Sequence, residues 1–117
     1  MNLLSPLFGS PLPSVNATEL NEKLKSGKRS LVVDVRQPEE YTAGHIAGSK
    51  LIPLGELNKR INELPKDKEI ICVCASGSRS QSATKFLVDA GYNAFNMQGG
   101  MFMWQRAKLP LKKGNAS

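Results

Sequence analysis

The 117-residue chain holds only two cysteines, Cys72 and Cys74, one histidine, His45, and one tryptophan, Trp104. With one residue between them, the two thiols lie near the upper limit of disulfide reach along a strand, so no disulfide framework staples the fold. A reducing, cytoplasmic setting is therefore the expectation. One histidine and two cysteines without ligand spacing argue against a metal site, and no cofactor is expected. No apolar run is long enough to span a bilayer. The opening Met1 to Phe8 is apolar but has no basic start, and Pro6, Pro11 and Pro13 break it up, so it does not read as a signal peptide. Acidic residues are also scarce: 10 Asp and Glu stand against 16 Lys and Arg, giving a net charge of +6. The basic residues are scattered, with small clusters at Lys23-Lys25-Lys28-Arg29 and Lys108-Lys112-Lys113, and aromatics do not interleave them. That pattern reads as a solvated surface able to steer small anions, not as a nucleic-acid face.

What is present suits one globular domain. Hydrophobic residues make up 40% and charged residues 22%, which is ordinary for such a domain. Residues 1–15 are rich in Pro, Ser and Leu without a period and are expected to form an extended arm lying on the domain. The domain proper is expected over 16–110, with a fraying tail at 111–117. Asn16 with Glu19 fits a capping box, and Leu20 and Leu24 give the short helix that follows one face. Leu31 to Val35 is an apolar strand with Asp34 out of place in it. Pro38 opens another short helix. Leu51-Ile52 is a very short strand, and Leu54, Leu57, Ile61 and Leu64 share the face of one helix ended by Pro65. Asn93 to Met97 is a last strand, and Met101 to Ala107 a closing helix. Apolar strands alternating with helices predict a parallel sheet covered on both faces, with ligands outside the carboxyl ends of its strands.

Six residues, Cys74-Ala75-Ser76-Gly77-Ser78-Arg79, sit between the apolar run Glu69 to Val73 and a helical run that ends before Gly91. A cysteine thus ends a strand, a loop of small residues turns, and a helix begins. Loop amides and a helix N-terminus make an anion cradle. A thiol facing it, with Arg79 at the edge, should ionise easily and act as a nucleophile. Cys74 is therefore the candidate catalytic residue, and Ala75, Ser76, Gly77, Ser78 and Arg79 the candidate binding residues. Gly77 supplies the permissive backbone a tight cradle needs. Arg79 is expected to pair with an anionic substrate or to hold the loop's own carbonyls. Asp34 and Arg36 are supporting candidates, expected as an ion pair that holds the loop. Cys72, inside its strand, is expected to pack, and His45 to make a structural hydrogen bond. Trp104, Phe102, Met101 and Met103 are expected as core or pocket wall.

Four motifs then stand together: Asp34-Val35-Arg36 with Glu40-Tyr41, Gly44-His45-Ile46-x-Gly48, Cys74-x-x-Gly77-x-Arg79-Ser80, and Gly99-Gly100-x-x-x-Trp104. In this order and spacing, from about Thr18 to Pro110, they closely resemble the single-domain rhodaneses. The resemblance implies a rhodanese-like α/β domain with a central five-stranded parallel sheet flanked by helices on both faces. It also implies sulfurtransferase chemistry. A sulfane sulfur would pass from a small anionic donor such as thiosulfate, or from a persulfide, to Cys74, and on to cyanide, a thiol or a sulfur-relay protein. Many members of that family carry Arg or Lys directly after the cysteine; Ala75 stands here and leaves thiosulfate without that cation. Four residues separate Cys74 from Arg79, whereas the phosphatase and arsenate-reductase branch of the fold resembles Cys-x5-Arg. The shorter ring fits one sulfur atom better than a tetrahedral oxyanion. A module that holds a persulfide for protein partners, with little turnover of its own, is the other reading these residues allow.

Overall fold

The computed structural model describes residues 12–27 and 29–117, so most of the expected arm and Lys28 of the first basic cluster lie outside the described residues. The elements run β1 (Ser14–Val15), α1 (Ala17–Lys25), β2 (Ser30–Asp34), α2 (Pro38–Ala43), β3 (Lys50–Leu51), α3 (Leu57–Arg60), β4 (Glu69–Val73), α4 (Ser78–Asp89), β5 (Asn93–Met97) and α5 (Gly100–Arg106). The five strands form one sheet in the order β1-β5-β4-β2-β3. Every pairing in it is parallel. The fold is the α/β architecture expected from the sequence.

Alternation within the central strands decides which helices cover which face. Val33, Ile70 and Cys72 point into a core shared with Leu57 of α3 and with Ala83 and Leu87 of α4. Their neighbours Val32, Ile71 and Val73 point into a second core with Leu20 of α1 and with Met101 and Trp104 of α5. Both faces of β2 and β4 are thus buried, which is why these strands read as continuous apolar runs. Asp34 and Cys74 fall at the carboxyl ends of the two central strands. The capping box of α1 forms as expected, with Asn16 Oδ1 accepting from the Glu19 amide at 2.8 Å and Glu19 Oε1 accepting from the Asn16 amide at 2.8 Å.

Ser14 and Val15, the end of the expected arm, lie on the domain as an edge strand whose carbonyl at Val15 accepts from the Gln98 amide at 2.8 Å. A two-residue strand carries no alternation for the sequence to show. The helix expected over 54–64 is broken into a 3₁₀ turn, Leu54–Glu56, then α3, then a second 3₁₀ turn, Ile61–Glu63. All four apolar side chains still reach the same core, because three-residue turns preserve the spacing that suggested a helix. The tail does not fray. Lys112 and His45 exchange backbone hydrogen bonds of 2.9 and 2.8 Å, and the Gly114 amide donates to the Thr42 carbonyl at 2.9 Å. His45 is fully buried, and buried polar atoms need partners, which the tail supplies.

Candidate active site

Cys74 follows β4 directly, and α4 begins four residues later, so the intervening loop folds over the thiol. Gly77 caps α4 at φ +105°, a left-handed conformation suited to glycine. That turn aims the Gly77 amide at Cys74 Sγ, 3.0 Å away. The Ser80 hydroxyl, from the first turn of α4, lies 3.4 Å from the same sulfur. Burial pushes the Cys74 thiol up, but hydrogen bonds from the Ser80 hydroxyl and from the Ser80, Gly77 and Ser76 amides outweigh it and hold the thiol below its ordinary value. Cys72 is the opposite case. Burial pushes it up to about 12, despite a hydrogen bond with Thr84. The thiol inside β4 and the thiol just past its end thus shift in opposite directions.

The loop is held from behind by α5. The Met101 amide donates to the Cys74 carbonyl at 2.8 Å, and the Phe102 amide donates to the Ala75 carbonyl at 2.9 Å. These contacts depend on Gly100, whose φ is +59° and where a Cβ would sit 2.5 Å from the Cys74 carbonyl oxygen. Gly100 of the sequence motif is therefore what lets the first amides of α5 reach the loop, whereas at Gly99 a Cβ would meet the Met103 side chain.

Arg79 does not hold the loop's carbonyls. It reaches across to α2 and grips Glu40 with two hydrogen bonds, of 2.8 and 2.9 Å. That grip is the main reason the Glu40 carboxyl falls to about 2; burial opposes it, and the Gln37 amide adds to it. Asp34 and Arg36 do form the expected ion pair, at 2.8 Å and almost fully buried. Its outward bond runs from Arg36 Nη2 to the Gly44 carbonyl at 2.8 Å, so it anchors the 44–48 turn and not the cysteine loop. His45 is stacked on Tyr41 at 3.7 Å. Its ring nitrogens lie 2.8 Å from the Tyr41 and Ala116 carbonyls. Trp104 and Met101 are buried, whereas Phe102 is 62% and Met103 43% exposed. Among the described residues no group of three or more His, Cys, Asp or Glu side chains is placed to hold a metal ion.

Two further residues join the site. Ser80 belongs to the cysteine motif, although its hydroxyl had no stated role. Asn96 of β5 lies 2.5 Å from Ser80 Oγ through its side-chain oxygen position and is buried. Only its place between Phe95 and Met97, in a strand that also opens on Asn93, signals it in the sequence.

A family model described as the rhodanese-like domain matches residues 16–107. The chain belongs to the rhodanese-like family. Relatives of this rhodanese-like chain include a sulfurtransferase of Allochromatium vinosum, 33% identical over 98 residues, covering 83% of this chain and 92% of the relative. The thiosulfate sulfurtransferase GlpE of Pseudomonas putida is 33% identical over 108 residues, covering 90% and 94%. The crystal structure of a rhodanese-related protein from Thermoplasma volcanium superposes with a TM-score of 0.80 at 37% identity, covering 86% of this chain and 97% of that one. The family is one of sulfurtransferases; in this chain the cysteine loop lies at the carboxyl end of β4.

Proposed function

We propose that the chain transfers sulfane sulfur by way of a persulfide on Cys74. The observation that carries this reading is the placement of the Gly77 amide at 3.0 Å and the Ser80 hydroxyl at 3.4 Å from one sulfur atom, in a loop that lowers the thiol's pKa. A thiolate in that loop attacks the sulfane sulfur of a donor. The new bond joins Cys74 Sγ to that sulfur, the donor's sulfur–sulfur bond breaks, and its electron pair leaves with sulfite or a thiolate. The outer sulfur of the persulfide then bears the charge, and the loop amides stabilise it. An acceptor nucleophile, cyanide or a thiol, takes that sulfur and returns Cys74 as thiolate. The loop lowers the thiol's pKa, which lessens the need for a general base.

A thiolate can only accept, so the single Ser80 hydroxyl proton then turns to it and away from the Gly77 carbonyl, 3.1 Å off. Asn96 fits this state when its amide nitrogen faces Ser80 Oγ, since amide nitrogen and oxygen have the same shape. Cys74 has no exposed surface, so a donor gains the sulfur when the side chains above it shift. The commitment of Arg79 to Glu40 also counts against phosphatase or arsenate-reductase chemistry, which needs a free guanidinium for a tetrahedral oxyanion. Thiocyanate formation from thiosulfate or an organic persulfide with cyanide tests the reading. Turnover by the wild type and its loss in Cys74→Ala are expected; equal turnover by both would refute it.

A further inference from the structure

A groove of about 600 Å³ opens beside the cysteine loop, lined by Arg36, Ala75, Met101, Phe102, Gln105 and Arg106. Ala75 is bonded to Cys74, so the groove begins one residue from the sulfur. Its volume falls in the range of sites for small organic molecules, roughly 300–1,000 Å³. Its wall is apolar, from Met101 and the largely exposed Phe102. Arg79 is neutralised by Glu40 and Arg36 by Asp34, whereas Arg106 has no ion pair among the described residues. Arg36 adds a second feature. Its side chain is only 6% exposed, with Nε and Nη2 bonded to Asp34 and Gly44. Its Nη1 has no hydrogen-bond partner among the described residues, and a buried donor left unmade is costly.

We propose that this groove binds the body of an organic persulfide bearing a carboxylate. Phe102 and Met101 pack on its carbon stem, and Arg106 with Arg36 Nη1 takes the carboxylate. The inference rests on the sulfurtransferase reading above and names its donor. Thiosulfate carries its charge next to the sulfane sulfur, where Ala75 offers no cation. An organic donor sets its charge a few bonds away, where the groove has one. In the step itself the Cys74 thiolate attacks the outer sulfur of R–S–SH. The Cys74–sulfur bond forms, the R–S bond to that sulfur breaks, and R–S⁻ leaves with the bonding pair. The transferred sulfur keeps its proton or releases it to water, and no external oxidant or reductant is consumed.

The test compares two donors of matching size, one charged and one neutral, the persulfides of N-acetylcysteine and of N-acetylcysteine amide. The rate at which each loads sulfur onto the intact protein is followed by mass. The acid is expected to load wild type about fivefold faster, the upper end for an exposed ion pair, and the preference should shrink with added salt. In Arg106→Gln the two rates should fall within about twofold of each other, while Lys108→Gln, outside the groove, should keep the wild-type preference. Equal rates in wild type, or an undiminished preference in Arg106→Gln, would overturn the groove assignment while leaving sulfur transfer standing. Failure of both persulfides and of thiosulfate to load Cys74 would overturn the two together.

Discussion

Arg79 and Glu40, thirty-nine residues apart, meet in a two-pronged ion pair that ties the first turn of α4 to α2. The guanidinium at the edge of the cysteine loop is therefore already neutralised. Each partner is about one-third exposed, so solvent screening limits the pair to about 0.5 kcal/mol.

This pairing makes a pH expectation whose sign is fixed. The Glu40 carboxyl lies at about 2 in the folded chain, below an unfolded value of about 4.3. Its contribution is present above the unfolded value and is lost as pH falls from there toward 2. Denaturant midpoints measured from pH 6 down to pH 2.5 should therefore fall less steeply for Glu40→Gln than for wild type. Equal slopes would mean the pair does not persist in solution. Arg79→Gln, which strands the Glu40 charge, should raise the alkylation midpoint of Cys74; the double variant Arg79→Gln/Glu40→Gln should bring it back.

Ser80→Ala removes the side-chain hydrogen bond to the sulfur while sparing the amides. Its alkylation midpoint should move up from that of wild type. Sulfur loading at neutral pH should slow about tenfold, matching the loss of a hydrogen bond to a charged group of about 1.5 kcal/mol. An unmoved midpoint would show that the amides alone ionise the thiol.

Gly100→Ala should be among the most damaging substitutions in the chain. The added Cβ meets the Cys74 carbonyl at 2.5 Å and the Ala75 carbonyl at 2.6 Å, at a positive φ. Overpacking and strain together should cost about 2–4 kcal/mol by chemical denaturation, with sulfur loading reduced in whatever folds. Gly55→Ala is the contrast, since a Cβ there meets nothing within 4 Å, and it should stay within about 0.5 kcal/mol of wild type. A mild Gly100→Ala would mean that α5 does not brace the loop.

The central part of the molecule was legible because its signals are local. β2 and β4 announce themselves by apolar runs, and the cysteine loop by small residues between a strand and a helix. What stayed hidden depends on distance along the chain. No spacing rule joins Glu40 to Arg79 or Ser80 to Asn96, because the sheet order brings those residues together. The docked tail was missed for the same reason: a polar stretch such as Lys112 to Ser117 reads as solvated until a buried His45 is found needing its carbonyls. Three-residue turns and a continuous helix share the i, i+3 spacing, so Leu54 to Leu64 gave the right face and the wrong element.

The most direct measurement is the intact mass of the protein after exposure to a persulfide donor, with fragmentation to place the added sulfur, since Cys72 and Cys74 fall in one tryptic peptide. A gain of about 32 Da confined to Cys74, reversed by cyanide or reductant, is expected. Cys72→Ala should retain it, because that thiol, held at about 12, is protonated at neutral pH. Sulfur found on Cys72, or an adduct of the same size formed by Cys74→Ser, would contradict sulfur transfer through Cys74.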